Sequence, residues 1–490
     1  MKYKITGLIA TALVLTIVLW VSFMMPTDNG KRYHQHTEAE EKKTCTHTDG
    51  KLCTHLPIIK IDTNGQAIPG EPILNIPGGH TLQYTMSETG EETILSKLSV
   101  IDNIGENNHT EDASSVSSDI RIRIRGNSSR HFEKKGYIIK MITSEGLNNP
   151  QSLMGMDTHH EWALHGPYLD KTLIRNYICY NLAGEIMGYA PNVRFCELIL
   201  NGEYQGLYLL TETITAGKTG ARLELSVDKK DNSFSGYLLR LDRGSNTELK
   251  NINNFSNYTY KTDSRINIVY PGNDNLNPVL ASGICDDFSD FEKALYSYDY
   301  DSEELGYENY IDVNSFIDYF LINEFTSNYD AGSKSTYMYK GIDGKLHMCV
   351  WDFNNAFDNY QENEISYRMF SMQDGLWFDM LFKDERFVER VIKRYQELEK
   401  QYLNEEYMNS YIDSVIEYLG PAIDRNFERW GHTFLPEWDR LFDFHRNLHS
   451  YDEAVEQLKG YIKDRHEWMN ENIEVLRQYS AESKVKNYNY

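Results

Sequence analysis

The stretch DVNSFIDYFLINEFTSNYDAGSKSTYMYKGIDGKLHMCVWDFN, residues 312–354, contains the pattern that decides the fold class. Its first part, residues 312–327, is apolar at helical spacing and predicts an amphipathic helix. Its second part predicts a β-hairpin, because Asp343-Gly344 separates two runs of strand-forming residues and favours a tight turn. A long helix followed by a hairpin is therefore expected in the second half of the chain.

Two acids follow these elements: Asp330 in the loop after the helix, and Asp352 at the end of the hairpin. Because a hairpin folds back on itself, both carboxylates can meet in one site. This order resembles the catalytic half of a protein kinase, in which one acid orients the attacking hydroxyl and the other holds Mg²⁺ on the nucleotide phosphates. Taken alone, two such acids are more often ordinary turn residues.

Around this unit, strands are predicted mainly before residue 284 and helices mainly after it. The alternating run DIRIRIR, residues 119–125, predicts a strand with one basic face. Asn201-Gly202 predicts a hairpin turn, and residues 104–118 resemble a disordered loop. Further strands are predicted at 56–62, 93–101, 136–141 and 235–242, and helices at 172–187, 387–403, 409–419 and 451–476. We expect an α+β fold with a sheet-rich first half and a helical second half.

A second candidate motif is RIRIRGNSSRHFEKKGYIIK, residues 121–140. Its small residues predict a turn whose backbone N–H groups and hydroxyls can cradle phosphates. Lys140 ends a Tyr-Ile-Ile-Lys strand, the position where kinases place a lysine on the nucleotide phosphates. Alternating basic residues on a strand are also common where the face is simply solvated, so this motif is weak on its own.

Composition restricts the partners. The chain has 73 Asp and Glu against 49 Lys and Arg, a formal charge of −24, which disfavours nucleic acid as a partner. Of the six cysteines, Cys45 and Cys53 lie close together and can form a disulfide if this segment is outside the cell. A metal site with His47 and His55 is also conceivable, but the spacing lacks the second half of a zinc motif.

The N-terminus predicts a membrane anchor. Residues 5–25 contain 21 residues without a charge, enough for one transmembrane helix, and residues 1–4 form a short cytoplasmic end. A cleaved signal peptide is the alternative, but no small-residue cleavage motif follows the apolar run. Residues 26–55 then predict a polar stalk, residues 56–480 the main domain and residues 481–490 a flexible tail. We expect a single-pass membrane protein whose bulk lies outside the cytoplasm.

Four blocks, read together, resemble the spore-coat protein H (CotH) kinase family over roughly residues 56–475. The blocks contain Arg125-Gly126-Asn127-Ser128-Ser129 with Lys134, Lys135, Tyr137 and Lys140; Trp162, Leu164, Asp170 and Arg175-Asn176; Leu200, Asn201, Gly202, Tyr204, Gly206, Tyr208 and Glu212; and Asn328, Asp330 and Trp351-Asp352-Phe353-Asn354. The combination is specific, although no single block is.

The resemblance implies an atypical, two-lobed protein-kinase fold that uses ATP with Mg²⁺ or Mn²⁺. It implies that Asp330 is the catalytic acid, that Asp352 binds the metal and that Lys140 contacts the nucleotide phosphates. The resemblance also implies Asn354 as the second residue at the metal, where family members often have Asp, so one carboxylate is missing from that site.

The same resemblance implies supporting roles for four other residues. Ser128 and Ser129 lie in the turn above the phosphates, and Glu212 lies toward the nucleotide-side hinge. Arg125 contacts the nucleotide or holds the turn in place.

The predicted function is therefore a serine protein kinase that acts on a Ser-rich segment of cell-envelope or coat-type proteins. Two alternatives stay open. One is a non-catalytic surface module that binds protein or glycan, which the anchor and the excess of aromatic residues favour. The other is a phosphotransferase that acts on a lipid or a glycan.

Overall fold

A computed structural model describes residues 32–39, 42, 52–73, 83–216, 223, 225–227, 234–256 and 264–481. The chain divides into two units, residues 1–33 and residues 34–490, and every element below belongs to the second. Of the first unit only Arg32 and Tyr33 are described. The predicted anchor, Cys45 and the tail beyond residue 481 lie outside the described residues. Within those residues, no helix combines the length and apolar character that a membrane span needs.

The described chain contains fourteen strands and nine α-helices. The strands are β1 (Cys53–Thr54), β2 (Ile58–Asp62), β3 (Ile94–Ile101), β4 (Asn108–His109), β5 (Val116–Ile124), β6 (Tyr137–Ile142), β7 (Glu161–His165), β8 (Val193–Leu200), β9 (Glu203–Glu212), β10 (Tyr237–Asp242), β11 (Asn251–Ile252), β12 (Arg265–Tyr270), β13 (Thr336–Lys340) and β14 (His347–Cys349). The helices are α1 (Gln35–Glu38), α2 (Arg175–Ile186), α3 (Pro278–Leu295), α4 (Val313–Phe325), α5 (Phe378–Leu381), α6 (Glu385–Glu399), α7 (Glu405–Leu419), α8 (Pro421–Trp430) and α9 (Tyr451–Asn472). The expected sheet-rich first half and helical second half are confirmed.

The first half forms a closed barrel with strand order β2-β3-β5-β6-β7-β9-β8. Alternation along β5 buries Ile120, Ile122 and Ile124 in the barrel core and directs the arginines between them outward. The strand predicted at 119–125 is therefore confirmed together with its basic outer face. Parallel pairing of Ile58 with Glu197 joins β2 to β8 and closes the barrel, which leaves no unpaired edge there.

Two predicted hairpins are present. Asn201 and Gly202 join β8 to β9 with φ angles of 52° and 82°, the left-handed conformation that an Asn-Gly hairpin turn requires. The β13–β14 hairpin belongs to a second sheet, with order β11-β12-β10-β13-β14. The carboxylate of Asp312 caps α4 by accepting a hydrogen bond of 2.8 Å from the backbone N–H of Ser315. The hairpin and α4 pack into one large core with α2, α3, α6, α7 and α9.

Some expectations differ from the structure. Residues 104–118 are not a disordered loop, because Asn108 is buried in β4 and bonds the Leu56 carbonyl at 2.9 Å. The predicted turn after Arg125 contains a short 3₁₀ helix, Ser128–His131. The barrel and the helical half have separate cores, but the division into two kinase-like lobes stays a prediction.

Part of the predicted stalk packs against the domain. Residues 34–38 lie within the interval 26–55, yet the Gln35 side chain is buried. Its amide accepts from the Phe195 N–H at 2.7 Å and donates to the Phe195 carbonyl at 3.1 Å. His34 contacts the Glu185 carboxylate at 2.6 Å. Polar composition suggested a solvated stalk here, but these polar groups find their partners in the protein.

Candidate active site

The loop after β14 is anchored by helix α2. The backbone N–H of Asp352 donates to the Tyr180 hydroxyl at 3.0 Å, and the N–H of Phe353 donates to Asn176 Oδ1 at 3.0 Å. Asn176 and Tyr180 are one helical turn apart, so they present their polar atoms on the same face of α2. Asp352 has φ of 61°, a left-handed conformation that Asp and Asn adopt more readily than most residues. The helix therefore fixes the direction in which the Asp352 carboxylate leaves the loop.

The next residues of the loop are held by a buried guanidinium. Arg175 forms an ion pair of 2.6 Å with Asp170 and donates to the Ala356 carbonyl at 3.0 Å. It also donates to Gln457 Oε1 at 2.7 Å, which ties the loop to helix α9. Because Arg175 and Asn176 are adjacent, one end of α2 secures the loop at two points.

Asn354 orients the Asp352 carboxylate through its side-chain amide. Asn176 accepts from a backbone N–H, so its amide nitrogen must face Asn354, and it donates to Asn354 Oδ1 at 2.5 Å. The amide nitrogen of Asn354 is then directed at Asp352 Oδ1, also at 2.5 Å. In this arrangement Asn354 serves Asp352 as a hydrogen-bond donor. Its expected role as a metal ligand stays a prediction.

Asp330 follows α4 and lies near enough to Asp352 for the charge of Asp352 to act on it. The region around these two carboxylates is called the cleft below. Its Oδ2 accepts a hydrogen bond of 2.8 Å from the amide of Asn355. Two consecutive asparagines therefore bond the two acids, Asn354 to Asp352 and Asn355 to Asp330. The structure thus brings together the two carboxylates that the sequence placed after the helix and after the hairpin.

Electrostatics distinguish these carboxylates from ordinary surface acids. Burial raises the pKa of Asp352, and the positive charge of Arg125 opposes that rise. Burial also raises the pKa of Asp330, and the negative charge of Asp352 raises it further, while Lys334 and Arg243 act in the opposite direction. Interacting acids with raised pKa values are typical of sites that bind cations or move protons.

Arg125 stands at the edge of this cleft. Its guanidinium lies 5.5 Å from the centre of the Trp351 ring, and its Nη1 is 2.7 Å from His165 Nδ1. Burial and the charge of Arg125 lower the pKa of His165 well below its usual value, so the imidazole is neutral and accepts this hydrogen bond. Arg125 is therefore both held in place and directed toward the site.

Two other candidates lie further from the acids. Lys140 is on the outer face of β6 and pairs across the strands with Arg121 and Glu161. Four strand positions separate Arg121 from Arg125, about 13 Å at a rise of about 3.3 Å per residue. Glu212 is buried at the end of β9, where its carboxylate accepts from the N–H of Asn192 at 2.9 Å. This contact holds the end of the strand.

The serine turn lies close to Arg125. Ser128 is exposed and Ser129 is half-buried in the 3₁₀ helix that follows Gly126. Arg130 fixes this helix by donating from Nε to the Gly126 carbonyl at 2.6 Å. Gly126 has φ of 99°, and a Cβ there would lie 1.9 Å from Ser129 Oγ, so the tight turn requires glycine.

A divalent cation suits the donor atoms around Asp352. Asn328 donates to the Asp352 carbonyl at 3.3 Å and to Asn323 Oδ1 at 3.0 Å. Its own Oδ1 is buried and has no hydrogen-bond partner among the described residues. Carboxylate and amide oxygens are the hard ligands that Mg²⁺ and Mn²⁺ prefer. Asp352 and Asn328 are therefore the residues that would hold the metal.

Several residues of the site were not predicted as functional. They support the acids rather than react, and they are Arg175, Asn176, Tyr180, Asn328 and Asn355. Arg175, Asn176 and Asn328 occur in the sequence blocks quoted above, and that occurrence was the available signal. For Tyr180 and Asn355 the sequence contains no comparable signal, because their roles depend on contacts between distant segments.

Comparisons with known proteins identify a family and a relative for this chain. The family described as CotH kinase protein matches residues 122–469, a range that includes both acids and the elements that position them. The inner spore coat protein H of Bacillus subtilis (strain 168) is 24% identical over 368 residues, which covers 73% of this chain and 88% of that protein.

Proposed function

This chain belongs to the CotH kinase protein family, and on that premise we propose that it transfers the γ-phosphoryl group of ATP to serine hydroxyls of protein substrates. The observation that supports this proposal most strongly is the pair of interacting carboxylates, Asp330 and Asp352, each bonded by one of two consecutive asparagines. A surface acid has no need of such support, whereas phosphoryl transfer needs two acids held in a fixed relation.

The two acids have different roles in the proposed reaction. Asp330 accepts the proton of the serine hydroxyl as the serine oxygen bonds to the γ-phosphorus and the bond to the bridging oxygen breaks, releasing ADP. Asn355 holds the Asp330 carboxylate toward the acceptor. Asp352 and Asn328 would hold the divalent cation, which would neutralise charge on the phosphates. Arg125 adds a fixed positive charge at the same edge of the cleft.

The acceptor side is open to solvent. Tyr329 is half-exposed beside Asp330 and stacks on Tyr360 with ring centres 4.3 Å apart. This pair offers a flat surface on which a polypeptide can lie while its hydroxyl reaches Asp330. The relative quoted above is named as a spore coat protein. We propose a Ser-rich segment of a coat or envelope protein as the acceptor, with no role for nucleic acid.

The location is also a proposal. Residues 5–25 would anchor the chain in a membrane by a single helix, and the kinase domain would lie on the extracytoplasmic side.

Label transfer from γ-labelled ATP tests the function. The protein is incubated with Mg²⁺ or Mn²⁺ and a Ser-rich acceptor peptide, beside the Asp330→Asn and Asp352→Asn variants. Asn is chosen because it keeps the shape of both side chains and tolerates the left-handed φ of Asp352. We expect each variant to lose transfer by about 10²- to 10⁴-fold while its circular dichroism stays unchanged. Equal transfer by the parent and both variants would contradict the proposal.

A further inference from the structure

We propose that Arg123 and Arg240 form a clamp for the polyphosphate chain of the nucleotide, one arginine from the barrel and one from the second sheet. This inference rests on the proposed function and assigns to these two arginines the contact that the resemblance assigned to Lys140. No block of the sequence motif contains either residue.

Arg123 projects from the outer face of β5, two residues before Arg125. It is half-buried, and among the described residues its guanidinium makes a single, long hydrogen bond, 3.4 Å, from Nη1 to the carbonyl of the next residue, Ile124. Glu161 and Glu92 lie near enough for their charges to act on it, but no ion pair with either forms in the described part of the chain. The group therefore keeps most of its hydrogen-bonding capacity.

Arg240 lies on β10, where it pairs across the sheet with Tyr337 of β13. Burial lowers the pKa of its guanidinium, but the nearby Tyr337 hydroxyl and Asp242 carboxylate outweigh this effect and raise it. Its Nε is buried, and none of the residues described around it accepts a hydrogen bond from that atom. Two residues further on the same face is Asp242, whose charge acts on Asp352. Arg240 and the acid Asp352 therefore both lie near Asp242.

Aromatic contacts lie between Arg125, two residues after Arg123, and Tyr337, the cross-strand neighbour of Arg240. The Trp351 ring lies below the guanidinium of Arg125, and its centre is 6.0 Å from the centre of the Tyr337 ring. Arg125 at the end of β5 and Tyr337 beside Arg240 of β10 therefore both contact Trp351. The positive charge of Arg240 acts directly on Arg123 and lowers its pKa, as does the charge of Arg125.

Half-buried like charges repel more strongly than they would in water, because the local dielectric constant is lower. Such an arrangement is favourable when an anion lies between the charges. A guanidinium bonds phosphate oxygens in a bidentate manner, and two guanidiniums on opposite walls match a chain of phosphates better than a single phosphate. The clamp therefore favours nucleoside triphosphate over nucleoside monophosphate.

Calorimetric titration of the full chain with ATP, ADP and AMP in the presence of Mg²⁺ tests the clamp. The variants are Arg123→Gln and Arg240→Gln. A third variant, Arg240→Lys, keeps the positive charge but removes the guanidinium that bonds phosphate oxygens in a bidentate manner. The control is Arg121→Gln, because Arg121 lies on the same face of β5 but is exposed and paired with Glu91 at 3.2 Å. We expect both glutamine variants to bind ATP about 10- to 100-fold more weakly, AMP to be affected much less, and the control to match the parent.

The outcomes separate this inference from the proposed function. ATP binding by Arg123→Gln and Arg240→Gln at the strength of the parent would overturn the clamp and leave the kinase proposal standing. If the parent does not bind ATP, titration of the parent and the variants with inorganic triphosphate tests the clamp by itself. Binding that is lost in both glutamine variants supports the clamp alone, and no binding by the parent overturns both. Thermal unfolding of each variant shows that a loss of binding is not a loss of fold.

Discussion

In two regions of this molecule, burial raises the pKa of carboxyl groups. The two regions differ in whether the charged carboxylate has an ion-pair partner. In the helical half, Glu324 of α4 is paired with Arg465 of α9 at 3.0 Å, and both side chains are 1% exposed. The other oxygen of Glu324 accepts from the N–H groups of Ser371 and Met372 at 2.8 and 2.6 Å. Arg465 donates to the carbonyls of Tyr367 and Met369 as well, so this pair is fully satisfied.

In the cleft, Asp330 and Asp352 receive amide hydrogen bonds from asparagines but form no ion pair with any described residue. The nearest cations act on them only through space. Where the chain satisfies a buried charge completely, as at Glu324, the group holds elements together. Where it orients a carboxylate and leaves its charge unpaired, as at Asp352, the group is available to a ligand.

The largest expected effect follows from breaking the satisfied pair. Arg465→Met leaves the Glu324 charge buried without its partner, which should lower the free energy of unfolding by about 3 to 5 kcal/mol. Urea denaturation followed by circular dichroism measures this change. The matched control is Arg465→Met with Glu324→Leu, which removes both charges and should recover part of the loss. A loss below about 1 kcal/mol in the single variant would contradict the claim that the Glu324–Arg465 pair holds elements of the fold together.

In the cleft, removal of a charge is expected to increase the free energy of unfolding. Because folding raises the pKa of Asp352, the native state binds protons more readily than the unfolded state, and stability falls as pH rises from the unfolded pKa to the folded pKa. Asp352→Asn removes this penalty and should stabilise the metal-free protein by about 1 kcal/mol at neutral pH. The gain should disappear at pH values below both pKa values. Denaturation curves at pH 7 and pH 3 measure it, and a destabilised variant at pH 7 would count against it.

A smaller effect on activity is expected from the support of Asp330. The Asn355 amide opposes the rise in the pKa of Asp330, so Asn355→Ala should raise that pKa and move the acid limb of the kcat/KM profile to higher pH. We expect activity at neutral pH to fall about 10-fold. Adding Asp330→Asn to Asn355→Ala should bring it to the level of Asp330→Asn alone. An unmoved pH profile would show that Asn355 is only structural.

The smallest effect is expected at the surface. Lys97 and Asp119 form an ion pair of 3.2 Å on the barrel, with 69% and 38% of their side chains exposed. Exposed pairs contribute little because water and salt screen them. Lys97→Met should change the free energy of unfolding by less than about 1 kcal/mol, as measured by urea denaturation. A loss as large as that of Arg465→Met would mean that burial does not explain why the Glu324–Arg465 pair is expected to contribute more than the Lys97–Asp119 pair.

Much of the fold was predictable because local patterns specify it. The alternation in residues 119–125 gave both the strand and its outward arginines. Barrel closure was not predictable, since it depends on the parallel pairing of Ile58 with Glu197, which lie far apart in the sequence. Residues 104–118 were misjudged because their polar groups find partners, such as the Leu56 carbonyl, only in the folded chain.

In the candidate site too, contacts between segments that lie far apart in the sequence were not predictable. The positions of Asp330 and Asp352 after a helix and a hairpin indicated that the two acids can meet, and the family resemblance favoured a shared site over ordinary turn residues. The role of Asn355 was not predictable, because one asparagine among several in a loop becomes distinctive only by its contact with Asp330. Arg240 likewise belongs to a strand whose neighbours across the sheet, Tyr337 and Asn267, come from later segments.

Calorimetric titration with ATP tests most directly whether the unpaired Asp352 carboxylate serves a metal-bound nucleotide. The parent and Asp352→Asn are each titrated with and without Mg²⁺. If the unpaired carboxylate serves a metal-bound nucleotide, Mg²⁺ should strengthen ATP binding by the parent at least about 10-fold. The folded Asp352→Asn variant should lose that enhancement. Equal ATP affinity with and without Mg²⁺ in the parent, or an enhancement that survives in the variant, would contradict the account.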